Sequence, residues 1–113
     1  MTYQVLILPQ AHLDINRNAD WWADHHSIDQ AERWADAVYD QIETLDRSPE
    51  SYPISAENEA FSFEIRDKLV GLGRHPNYRA IFTVLENVVY VLAVRRAAQD
   101  AFRPDDCNLP PTA

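Results

Sequence analysis

A chain of 113 residues with 46% apolar side chains has the size and composition of one compact domain around a single core. No apolar run approaches the roughly 18 residues of a membrane-spanning helix. The formal charge of −8 argues against a general affinity for nucleic acid, which comes mostly from basic side chains neutralising phosphates.

That charge is uneven. Residues 1–60 hold 3 basic and 12 acidic side chains, whereas residues 61–113 hold 7 and 6, so an anion-binding surface is expected between Arg66 and Arg96. Cys107 is the only cysteine, which excludes an intramolecular disulfide and argues against a cysteine-based metal site. Met1 runs straight into strand-like residues without the basic stretch of an export signal, so a soluble, cytoplasmic protein is expected.

Taken in chain order, Tyr3 to Leu8 is a β-branched and aromatic run stopped by Pro9, predicting a strand buried on much of both faces. Ala11, Ile15, Ala19, Trp22 and His26 then recur at steps of three or four and predict a first helix from about Pro9 to His26, its start lacking a capping side chain. Ser27 and Gln30 have capping-box spacing, which opens a second helix. Its stripe of Ala31, Trp34, Ala35, Val38, Ile42 and Leu45 ends before Ser48-Pro49, and the short junction forces a helical hairpin.

Residues 49–60 read as a connection without strong period. Phe61, Phe63, Ile65 and Leu69 then alternate with Ser62, Glu64, Arg66 and Lys68, predicting a strand with one buried and one wet face. After the loop 71–77, Tyr78–Leu85 and Val88–Val94 predict a hairpin through Glu86-Asn87, with Asn87 as the residue suited to positive φ and the last strand central. Arg95 to Phe102 is expected to add a short helical turn. Residues 1–102 thus read as one domain and 103–113 as a flexible tail. The order β-α-α-β-β-β, with a short terminal helix, is an α+β fold in which the hairpin packs on a mostly antiparallel sheet.

With those elements placed, Tyr3-x-Val5-x-Ile7-x-Pro9-x-Ala11-x-x-Asp14, Ala31-x-x-Trp34, Leu45-x-x-x-Pro49, Tyr78-Arg79-Ala80-Ile81-Phe82 and Val91-Leu92-Ala93-Val94-Arg95 resemble, in order and spacing, the RelE/ParE superfamily of type II toxins, also labelled plasmid stabilization proteins. The likeness spans about residues 3–100 and leans toward the ParE-like branch. It implies a growth-inhibiting toxin neutralised by a cognate antitoxin, in a homodimer or a toxin–antitoxin hetero-oligomer. The target implied is DNA gyrase for one branch and the ribosome with its messenger RNA for the other.

The resemblance places the catalytic set of the RNA-cleaving branch at Arg79, Arg66, Lys68 and Arg95, and a target-binding surface at Arg79, Arg95, Arg96 and Arg74, with Arg79 expected to be exposed. Guanidinium groups there would stabilise phosphorane charge. Where that branch carries a C-terminal tyrosine, this chain has Phe102, which cannot transfer a proton. Three readings follow: a ParE-like non-enzymatic toxin, a ribosome-dependent endoribonuclease, and a degenerate non-toxic binding module.

Blander readings compete. The basic set between Arg66 and Arg96 is equally a solvated sheet face. His25 and His26 with His12 or Asp14 have metal-binding chemistry, but neighbouring helical residues diverge by about 100°, and surface positions are expected. Trp21, Trp22 and Trp34 have the chemistry of a base-stacking platform; Trp22 and Trp34 lie on apolar stripes and are expected in the core, leaving Trp21 for an interface. The carboxylates Asp14, Asp20, Asp24, Asp29, Glu32, Asp36, Asp40 and Glu43 are expected on the wet side of the hairpin. No cofactor or metal is expected, and with only Gly71 and Gly73 no glycine-rich phosphate loop can be built.

Overall fold

The computed structural model describes residues 2–98 and 101–107. Strand β1 (Gln4–Ile7) leads into helices α1 (Pro9–His25) and α2 (Ile28–Glu43), followed by strands β2 (Arg66–Val70), β3 (Tyr78–Leu85) and β4 (Val88–Arg96). The strands lie in the order β1-β4-β3-β2. Only the β1–β4 pair is parallel, so the sheet is mostly antiparallel and the α+β expectation stands.

Local chemistry accounts for the helix ends. Pro9 opens α1 without a capping side chain, a position where its missing N–H is no loss. The Ser27 Oγ accepts from the Gln30 amide at 3.1 Å and starts α2. After Glu43 the chain tightens into a 3-10 turn at Thr44–Asp46, which buries Leu45; α2 itself is therefore shorter than the stripe suggested. A side-chain amide ties α2 to the sheet. Gln41 donates to the Gly71 carbonyl at 2.9 Å and accepts from the Gly71 amide at 2.8 Å, where Gly71 has φ of +130°, a conformation that disfavours a Cβ.

The sheet separates two apolar clusters. On the helical side Ala11, Ile15, Trp34, Val38, Ile42 and Leu45 pack on Val70, Tyr78, Ala80, Phe82, Val89, Val91 and Val94. On the far side Ile65, Ile81, Leu92 and Phe102 form a smaller cluster, with Phe61 and Phe63 against it. The two central strands β3 and β4 are consequently apolar almost throughout.

Four expectations need correction. β1 is an edge strand of alternating exposed and half-buried residues, because Val5 and Ile7 pack toward the helical layer while the far-side cluster does not reach Gln4 and Leu6. Phe61 and Phe63 precede β2 and pack by ring contact outside any ladder, while Leu69 is 56% exposed because the far-side cover ends before the sheet edge. The positive φ of the β3–β4 turn falls on Glu86, at 57°, and not on Asn87. Arg95 and Arg96 extend β4 and are not helical; residues 99–100 of the turn expected up to Phe102 lie outside the described residues, and a 3-10 turn follows at Pro104–Asp106. Of the tail expected at 103–113, residues 108–113 lie outside the described residues.

Candidate functional site

The cations singled out in the sequence do not share a face. Directly opposed residues on antiparallel strands point to the same side. Arg66 pairs with Phe82 and Lys68 with Ala80, so both turn toward the helical layer, whereas Arg79 pairs with Leu69 and with Arg95 on the far side. Arg96 pairs with Tyr78 and returns to the helical side; Arg74 is exposed in the 71–77 loop.

On the helical side, the connection before β2 supplies the partners. Arg66 donates to the Tyr52 carbonyl at 2.6 Å and pairs with Glu64 at 2.7 Å. Lys68 donates to the Tyr52 hydroxyl at 3.0 Å and lies 4.6 Å from the Tyr52 ring centre.

The far side holds the more concentrated chemistry. Arg79 is buried, with 6% of its surface exposed. It pairs with Glu57 at 2.6 Å and Asp67 at 3.1 Å, and donates to the Ser55 hydroxyl at 3.4 Å. The sequence expectation of an exposed Arg79 is therefore corrected: the 53–65 connection and the C-terminal segment close over it. Burial pulls the Arg79 guanidinium down, but hydrogen bonds and charge from Glu57 and Asp67 outweigh this and raise it. Burial likewise pushes the Glu57 carboxyl up, but it is outweighed by Arg79, by the Phe102 amide and by Ser55, leaving Glu57 below its usual range.

Glu57 also accepts from the Phe102 backbone amide at 2.6 Å. One carboxylate thus neutralises Arg79 and pins the C-terminal segment. Phe102 stacks on Phe61 with ring centres 5.3 Å apart and lies 5.7 Å from the Arg95 guanidinium. A cleft of about 390 Å³ beside it is lined by Glu57, Glu59 and Arg103, among others.

Arg95, the cross-strand neighbour of Arg79, is drawn to Asp14 at 3.4 Å and Asp106 at 4.0 Å. Asp14 departs from the expected wet helical face: it is fully buried. The reason lies in the sheet. β1 stops at Ile7 opposite Val91, so further along β4 the edge amide of Val94 has no strand beside it, and Asp14 Oδ2 accepts from it at 3.0 Å. Gln10 and Arg17 donate to Asp14 Oδ1, each at 2.9 Å.

The carboxylates Glu57, Asp67 and Asp106 were not picked out from the sequence. Asp67 lies between Arg66 and Lys68, and alternation alone assigns it to the opposite face; its partner emerges only from strand register. Glu57 sits in irregular chain that carries no periodic signal. Among the described residues, no group of three or more His, Cys, Asp or Glu is placed to hold a metal ion. His12 bonds Tyr39 at 2.9 Å, away from His25 and His26 at the end of α1. No helix is long and apolar enough to cross a membrane among the described residues.

Comparison with known proteins adds three findings. The family model described as the ParE toxin of type II toxin-antitoxin system, parDE, matches residues 5–101. A solved structure titled "Chromosomal ParDE TA system from P. aeruginosa" superposes with a TM-score of 0.68 at 14% identity, covering 84% of this chain and 96% of that chain, a likeness of fold. No curated protein sequence matches the chain.

Proposed function

The chain belongs to the ParE toxin family of type II toxin–antitoxin systems, and on that premise we propose that it arrests growth from the cytoplasm by a gyrase-directed, non-cleaving route and is silenced by an antitoxin encoded beside it. The observation that supports the non-cleaving reading is the division of the cations. Arg66 and Lys68 are separated from Arg79 and Arg95 by the thickness of the sheet, so the four do not converge on one phosphate. Arg79 is already neutralised by two carboxylates, and Phe102 offers a buried phenyl ring where proton transfer would need a hydroxyl.

The outer edge of β1 supports the antitoxin reading. Gln4 and Leu8 donate their amides to Asn87 and Val91, so strand geometry turns the amides of Val5 and Ile7 outward. An extended antitoxin segment gains a ladder by joining there.

Expression alone and with the adjacent small open reading frame tests the proposal. Growth arrest relieved by co-expression, co-purification of the pair and inhibited supercoiling with intact messenger RNA are the expected results. Ribosome-dependent cuts in messages would favour the endoribonuclease reading, and unaffected growth the non-toxic binding module.

A further inference from the structure

The end of the molecule where α1 finishes carries rings and cations that neither the core nor the Arg79 cluster uses. Trp21 is half-buried, with the exposed His25 ring stacked on it at 4.3 Å and 16°. The His25 Nδ1 donates to the Trp21 carbonyl at 2.9 Å, which fixes the imidazole on the indole. The exposed Arg96 guanidinium lies 5.1 Å from the Trp21 ring centre. One residue on, Trp22 packs against the helical-side core, and the exposed His26 ring lies over it at 4.6 Å.

The 71–77 loop adds to this end. Its last carbonyl, that of Asn77, accepts from the Ala97 amide at 2.8 Å, next to Arg96, and the loop carries exposed Arg74 and His75. Among the described residues neither Arg74 nor Arg96 has an ion-pair partner, in a chain with a net charge of −8. Most other basic side chains of the sheet are matched with carboxylates or carbonyls.

We propose that the Trp21, His25, His26, Arg74 and Arg96 surface binds single-stranded nucleic acid, its bases stacking on the exposed imidazoles and its phosphates meeting the two arginines. Paired rings distinguish this surface from a site for an acidic peptide, which needs cations alone; bases of any identity offer a π-face to such rings. Exposed Asp20, Asp24 and Asp29 lie on the neighbouring turns, so the interaction is weak, salt-sensitive and without sequence preference. It goes beyond the toxin assignment and does not depend on it: growth and supercoiling assays test that assignment, and oligonucleotide binding tests this one.

The experiment is fluorescence anisotropy of a labelled short oligothymidylate with the full chain at low salt. Two phosphate contacts give a slope of log affinity against log salt of about −1.4, falling to about −0.7 in Arg96→Gln. His25→Ala, at an exposed position, should lower affinity about fivefold or more without altering the circular dichroism spectrum. No binding at low salt overturns the proposal, as does unchanged affinity in both variants. Equal competition by inorganic polyphosphate would reduce the site to bare electrostatics, and stronger competition by oligoglutamate would make it a peptide surface; either result overturns the proposal.

Discussion

Replacing Asp14 by alanine should destabilise the fold more than any other single acidic substitution on the helical hairpin. The loss has three parts. The buried Val94 amide loses its acceptor at 3.0 Å, worth about 1–3 kcal/mol when left unsatisfied. Arg95, 13% exposed in its side chain, loses its partner at 3.4 Å and keeps Asp106 at 4.0 Å, so the penalty of breaking a buried pair, about 3–5 kcal/mol at most, is only partly felt. The Arg17 arm, with 62% of its side chain exposed, adds well under about 1 kcal/mol. Together these give about 3 kcal/mol for Asp14→Ala. Asp14→Asn keeps an acceptor for Val94 and should lose about half as much. Urea unfolding followed by circular dichroism reads the difference as a lower midpoint at unchanged slope, and at a slope of about 2 kcal/mol/M the alanine midpoint should fall by about 1.5 M. Both variants unfolding within about 0.5 kcal/mol of the parent would refute the idea that this carboxylate completes the β4 edge.

Phe102→Ala removes a ring stacked on Phe61 and fully buried, and thermal unfolding should show a loss of about 3 kcal/mol. Glu57 titrates below its usual value in the folded protein, so its contribution is present above the ordinary carboxylate range and is lost as pH falls through the depressed value. The stability gap between parent and Glu57→Gln should therefore shrink on acidification, and a gap that widens would contradict the ion pair with Arg79. Converting exposed Asp36 and Asp40 to lysine should leave growth arrest unchanged while weakening antitoxin binding, measured by calorimetry, if the acidic hairpin meets a basic antitoxin segment.

Much of the fold is legible in the sequence because its hydrophobic periods are clean. The Ala31 to Leu45 stripe and the Ser27 cap define α2, and the uninterrupted apolar run of Val88 to Val94 marks a strand with neighbours on both sides. The site is less legible for a reason that lies in the pairing of strands. Charge counting finds Arg79 but not its burial, which is imposed by Glu57, Ser55 and Phe102 from segments without periodicity. Asp14 shows the same limit in reverse. Its place among acidic neighbours suggests solvent, and only the early end of β1 reveals the orphan amide that draws it inward.

The parallel pairing of Gln4–Ile7 with Val88–Val91 also sets the order of folding. The β3–β4 hairpin closes through a two-residue turn, a local event on the scale of about 1–10 μs. β1, by contrast, has no strand partner until β4 has been made, and the Asp14 bond to Val94 closes a separation of 80 residues. Non-local pairings of this kind slow folding because loop closure precedes the contacts that reward it. During synthesis the first strand therefore stays unpaired until the fourth has left the ribosome.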